Sequence, residues 1–151
     1  MFRAMAVAVL LLGLAACKLP TLDKEADADA RGLYQEIATG ADLSKDPHLD
    51  ASIRTPDAFA ALAALRQQLP QGAPTSVENR GFNFSVNNGL STATLTHAYH
   101  YSSGATVTAE TVLRKTSGQT AWMIIGFHVN LGAPTPTGPA VTITRQPGTP
   151  T

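Results

Sequence analysis

Residues 90–115, LSTATLTHAYHYSSGATVTAETVLRK, decide the fold. They hold two runs in which apolar or bulky side chains alternate with threonines, separated by Ser102-Ser103-Gly104. Alternation is the period of a strand with one buried face. A short linker of serine and glycine brings the second strand back antiparallel to the first. In the first run Ala93, Leu95, His97, Tyr99 and Tyr101 share one face, opposite Thr92, Thr94, Thr96 and His100. In the second, Val107, Ala109, Thr111 and Leu113 oppose Thr106, Thr108, Glu110, Val112 and Arg114.

The pattern extends both ways. Residues 77–86 precede Asn87-Asn88-Gly89, and residues 120–130 follow Thr116-Ser117-Gly118-Gln119. Four strands, at 77–86, 90–101, 106–115 and 120–130, are therefore expected as an antiparallel meander. In the last, Met123, Ile125, Phe127 and Val129 are assigned to one face, and Trp122, Ile124, Gly126 and His128 to the other. Both faces are apolar there, so cover on both sides is expected, and Gly126 marks a bend or bulge. Residues 131–151 hold five prolines and read as a disordered tail. Within it residues 141–144 are the one segment with strand character.

Upstream the period is helical. Ala26, Ala30, Leu33, Tyr34 and Ile37 form one face of a helix over 23–39. Asp23 and Glu25 place negative charge at its start, and Gly40 is the stop. A polar connection, 41–54, offers Leu43, Leu49 and Ile53 as inward anchors. Thr55-Pro56-Asp57 starts a second helix with a stripe of Phe59, Leu62, Leu65 and Leu69, closed by Pro70. Two helices followed by a meander make one α+β domain over 23–130, with the helices packed on the sheet.

The N-terminus reads differently. Arg3 precedes an apolar run, 4–14, that leads into Leu14-Ala15-Ala16-Cys17. The run is too short for the ~20 residues that span a bilayer. A basic start, a short apolar segment and small residues before a cleavage point are the features of a secretory signal. Leu14-Ala15-Ala16-Cys17 resembles a bacterial lipobox. That resemblance implies a signal peptide at 1–16, an acyl-bearing Cys17, and a tether at 17–22. Lys18, directly after the cysteine, implies the outer membrane rather than the inner one if the bacterium is Gram-negative. The expected location is the cell envelope, lipid-anchored and facing the periplasm.

Composition narrows the partners. Cys17 is the only cysteine, so no intramolecular disulfide is available. Formal net charge is zero and no basic run occurs, which leaves no electrostatic footprint for nucleic acid.

Leu33-Tyr34-Gln35-Glu36-Ile37-Ala38, Ser52-Ile53-Arg54-Thr55, Gly81-Phe82 and Trp122-Met123-Ile124-Ile125-Gly126-Phe127-His128-Val129 resemble the cystatin-like, or nuclear transport factor 2-like, domains. The closest resemblance is to exported bacterial members of unknown function. It implies a sheet curled around a helix as a cone whose mouth often holds a ligand. Some members of that superfamily are enzymes, including ketosteroid isomerase and polyketide cyclases, while others bind or dimerise.

Four residues are candidates for a pocket. His97, Tyr99 and Tyr101 make an aromatic row on one sheet face, with apolar bodies and polar tips. Glu110 is a mid-strand carboxylate of the kind that serves as a general base. The competing reading is a packing row for the first three and a solvated carboxylate for Glu110. No Asp/His pair matches the spacing of the enzymatic relatives. His97 and His100 are an odd number of residues apart and face opposite ways, and no metal site or cofactor is expected. The chain thus reads as a lipid-anchored binding module for a small ligand or a protein. The alternatives are an isomerase- or cyclase-type enzyme, and an assembly protein that dimerises through its sheet. Anchoring needs no membrane contact from the domain itself, because acyl chains supply ~0.8 kcal/mol per buried methylene.

Overall fold

A computed structural model describes residues 22–132, together with the backbone of 141–143. Helix α1, Lys24–Thr39, begins where Asp23 Oδ1 accepts hydrogen bonds from the backbone N–H of Glu25 and Ala26, at 2.9 and 3.1 Å. It ends at Gly40, whose φ of 75° places it in the left-handed region and lets its N–H reach the carbonyls of Glu36 and Ile37. Ala26, Ala30, Leu33, Tyr34 and Ile37 are its buried residues, as the periodicity predicts. Helix α2, Pro56–Gln68, is capped by Thr55, whose Oγ1 accepts from Ala58 N–H at 3.2 Å. Its buried face is Ala58, Leu62 and Leu65, continued by Leu69 beyond its end. Phe59, expected on that stripe, is only half-buried.

Between the helices, short 3-10 turns at Leu43–Lys45 and Ala51–Ile53 seat Leu43, Leu49 and Ile53 in the core. These are the three expected anchors.

The sheet is antiparallel, with strands in sequence order: β1 Ser76–Asn87, β2 Leu90–His100, β3 Thr106–Thr116, β4 Met123–Asn130 and β5 Val141–Ile143. The α+β class and the meander follow the sequence. At the β1–β2 turn Asn88 and Gly89 both take positive φ, 48° and 77°, the geometry of a tight hairpin whose twist matches its strands. The last long strand begins at Met123, not at Thr120.

Two findings correct the expected sheet. First, a fifth strand exists: Val141–Ile143 pairs with Phe127–Val129, so this piece of the segment expected as a disordered tail is paired. The rest of that tail lies outside the described residues. The physical reason is the edge of β4, whose backbone groups need partners. Lower down the same edge, Ile124 N–H donates to His48 O and Asp50 N–H donates to Ile124 O, at 2.7 and 2.9 Å. Second, β4 changes face midway. Gly126 pairs with Val112 and Ile124 pairs with Leu113, leaving Ile125 as the extra residue of a bulge. Trp122 and Ile124 therefore share the core with Phe127 and Val129, while Met123 and Ile125 are half-buried. The bulge expected at Gly126 is present, but it breaks the simple alternation.

The core lies between the helices and one sheet face. It joins the α1 stripe, Leu62, Leu65 and Leu69 to Leu95, Tyr99, Val107, Leu113, Trp122, Ile124, Phe127 and Val129. Fully burying a leucine, isoleucine, valine or phenylalanine contributes roughly 1.5–3 kcal/mol relative to exposure. Among the described residues no helix is long and apolar enough to cross a membrane.

Candidate functional site

Three of the four candidate pocket residues meet under α1. Register places Ala93, Leu95, His97 and Tyr99 of β2 on the core face, opposite Leu113, Thr111, Ala109 and Val107 of β3. His97 is 1 % exposed, and its Nε2 lies 2.7 Å from Asp27 Oδ1 on α1. The other oxygen of Asp27 lies 2.9 Å from Arg31 Nε, one helical turn on. The result is a chain, Arg31–Asp27–His97, running from the helix surface into the core. A buried imidazole without such a partner would carry an unmet desolvation cost.

Beside it the tyrosines pack on one another. The rings of Tyr34 and Tyr99 stack with centroids 3.6 Å apart and planes 10° apart. The hydroxyls of Tyr34 and Tyr101 share a hydrogen bond of 2.7 Å. Burial, and then the bond to Tyr101, push the Tyr34 phenol far above its ordinary pKa. Burial does the same to Tyr99, with Arg31 opposing. The Tyr99 hydroxyl has no hydrogen-bond partner among the described residues.

Glu110 stands elsewhere. It is exposed on the opposite face of β3, across from Thr96 and His128. His97, Tyr99 and Tyr101 are packed into the core, and Glu110 does not join them. The pocket wall expected of these four residues is a packing row plus a surface carboxylate. His100, on the face opposite His97 as its spacing requires, contacts Thr106 Oγ1 at 3.1 Å and Glu78 Oε2 at 3.4 Å. Among the described residues no group of three or more His, Cys, Asp or Glu side chains is arranged to hold a metal ion.

A second polar cluster ties the connection to the sheet. Asp50 Oδ1 accepts from Ser52 N–H and Ser52 Oγ, and Asp50 Oδ2 lies 2.6 Å from Arg114 Nη2 on β3. Burial pushes the Asp50 carboxyl up, but the Ser52 and Arg114 contacts outweigh it and hold the group below the ordinary carboxylate value. Asp29, near His48 Nδ1 at 3.3 Å, goes the other way, because burial dominates.

One concavity beside α1 has none of the tyrosines in its lining. A cleft of about 290 Å³ opens between the C-terminal end of α1, the first 3-10 turn and α2. Ile37, Leu43, Phe59 and Leu62 give it an apolar floor, and Arg66 stands at its rim. This volume is at the lower end of the ~300–1,000 Å³ typical of small-molecule sites.

Two features escape a reading of the sequence. Asp27, the partner of His97, sits beside the apolar stripe of α1, where the helical period alone gives it no role. Its signal is indirect: a histidine on a core face requires a polar partner from the element that covers it. The other is apolar. Phe82, Phe84, Val86 and Leu90 are the exposed large hydrophobic residues around the first hairpin.

Cys17, the expected lipidation site, lies outside the described residues, as does the signal segment before it. No family model matches the chain, and neither a curated protein nor a solved structure matches it.

Proposed function

We propose that this chain is a bacterial envelope lipoprotein, held to a membrane through an acyl-bearing Cys17, whose domain binds rather than catalyses. The carrying observation is Leu14-Ala15-Ala16-Cys17, with the only cysteine of the chain at the end of a short apolar run. Support comes from the spacing: Asp23 caps α1, so five residues, 18–22, lie between the cysteine and that cap. Such a spacing suits a short tether. The envelope location, facing the periplasm, and the outer-membrane preference carried by Lys18 belong to the same proposal.

A binding role is favoured over isomerase or cyclase chemistry by how the polar groups are used. His97 is committed to Asp27, and Tyr34 to Tyr101, all within packing. Catalysis of that type needs polar groups converging on an open cavity. The cleft rimmed by Arg66 is the better place for a small ligand, with an apolar floor and one cation at its edge. The finer fold reading, a cystatin-like or nuclear transport factor 2-like domain, is part of the proposal. It is supported by helices that precede an antiparallel meander, and by the bulge at Gly126 within the Trp122–Val129 motif.

Labelling with radioactive palmitate in the producing bacterium tests the anchor. Label should enter the wild-type protein and be absent from Cys17→Ser. Equal labelling of both would refute the assignment. Native mass measurement of the protein from its own membrane then reports any ligand or second subunit that it carries.

A further inference from the structure

We infer that the β1–β2 hairpin, through Phe82, Phe84 and Val86, rests against the same lipid bilayer that holds Cys17. This rests on the lipoprotein reading above, and it adds a membrane-contacting surface that anchoring alone does not require.

β1 is an edge strand of the sheet. Phe82, Phe84 and Val86 pair with Leu95, Ala93 and Ser91, so they point to the helix-covered face. The helices pack over β2 and β3 and do not cover them. Phe84 is 44 % exposed and Val86 62 %. Leu90, across the turn and on the other face, is exposed as well. Exposed apolar side chains clustered in this way mark an interaction surface.

Position selects the bilayer as the occupant. Glu25, in the first turn of α1, lies 3.7 Å from Lys115. Lys115 stands over the ring of Trp122 at 5.3 Å, and Trp122 meets Phe84 edge to face at 6.1 Å. The start of α1 and the apolar hairpin are therefore at the same end of the domain. Cys17 precedes Leu22 by five residues, a reach of no more than about 18 Å even when fully extended. An acyl chain on Cys17 thus brings this end of the sheet close to the headgroups.

Charge agrees. Residues 82–92 and 115–122, which form the two hairpin tips at this end, contain no acidic side chain, and Lys115 is their only charge. Glu25 is paired with that lysine, and Asp50 with the neighbouring Arg114. Anionic lipid meets no repulsion from either hairpin.

The test uses the full lipoprotein purified from bacterial membranes, carrying Val86→Cys and labelled on the new thiol with an environment-sensitive fluorophore. It is reconstituted into phosphatidylethanolamine/phosphatidylglycerol vesicles, with and without bromine on the acyl chains. Leu90→Cys is a second probe, and Ser103→Cys, in the turn at the far end of the sheet, is the control. The expected result is flotation with the vesicles, a blue shift at Val86→Cys and Leu90→Cys with loss of emission on bromination, and neither change at Ser103→Cys. Flotation with water-like emission at both hairpin positions overturns the inference and leaves the anchor standing. A blue shift without bromine quenching, with disulfide-linked dimers formed by an unlabelled Val86→Cys sample under a mild oxidant, overturns it in favour of a second copy of the chain. Failure to float overturns the anchor and this inference together.

Discussion

Asp27 Oδ1 and His97 Nε2 lie 2.7 Å apart, linking the first turns of α1 to the middle of β2 across seventy residues of chain. His97 is almost wholly buried while Asp27 also meets Arg31, so each side chain satisfies a group that the core has removed from water. Asp27→Ala should cost about 1–3 kcal/mol, because it strands a buried donor or acceptor. Asp27→Ala combined with His97→Leu should cost less than the two single changes added together. Urea denaturation of the four proteins measures this. Simple additivity would mean that the two groups do not act as a pair.

The tyrosines make an internal contrast. Tyr34→Phe removes the bond to Tyr101 and leaves a buried hydroxyl alone, for an expected loss of about 1–3 kcal/mol. Tyr99→Phe removes a hydroxyl that has no partner among the described residues. It should be neutral or stabilising, with the Tyr34 stack retained. The order of the two melting temperatures decides the point, and a larger loss for Tyr99→Phe would contradict the packing described.

Stability should fall in alkali. Tyr34 and Tyr99 hold their protons in the folded state well past the ordinary phenol value of 10.0. The unfolded chain releases them there. Above that value the folded state binds more protons than the unfolded one, so unfolding becomes easier as pH rises. Their contribution is complete below the ordinary value and is lost on the way to the raised ones. Absorbance of tyrosinate, followed against pH, should show two phenols that ionise only as the protein unfolds.

Asp50 sets an opposite dependence in acid. Its carboxyl is held below the ordinary 3.8, partly by Arg114, so its contribution is present above that value and lost as pH falls through the lowered one. Arg114→Met should make the part of the stability curve below pH 3.8 shallower. The measurement is denaturant unfolding at a series of acid pH values. An unchanged slope would remove Arg114 from the account.

Gly40 tests how α1 ends. Its φ is 75°, and an added Cβ would stand 2.0 Å from Arg66 Nη1. The arginine is flexible and can move aside, but the left-handed backbone remains, at a cost of about 1–2 kcal/mol for a residue with a Cβ. Gly40→Ala should lose that much and also disturb the rim of the cleft that Arg66 forms. Gly32→Ala, in the helix interior with open space around it, should be neutral or gain.

What the sequence shows and what it hides divide along physical lines. The buried face of α1 is legible residue by residue, since five apolar positions repeat at the helical period. The meander is legible because short turns carry glycine with asparagine or serine. The register of β4 is not: the extra residue at Ile125 puts Ile124 and Phe127, three apart, on the same face. β5 has three residues, too few for a period to emerge, and it owes its existence to the open edge of β4. Pairing with Leu95, Ala93 and Ser91 puts Phe82, Phe84 and Val86 on the face the helices pack on. It says nothing about whether the helices reach the edge strand, and they do not. The candidate residues divide in the same way. Strand parity separates His97 from His100, but the partners of His97 and Tyr101 come from α1, about seventy residues earlier.

The anchor on Cys17 is read out by the intact mass of the protein taken from its own bacterial membrane. Loss of residues 1–16 and acyl mass located on Cys17 are expected. A chain cut elsewhere, or one beginning at an unmodified Cys17, would contradict it.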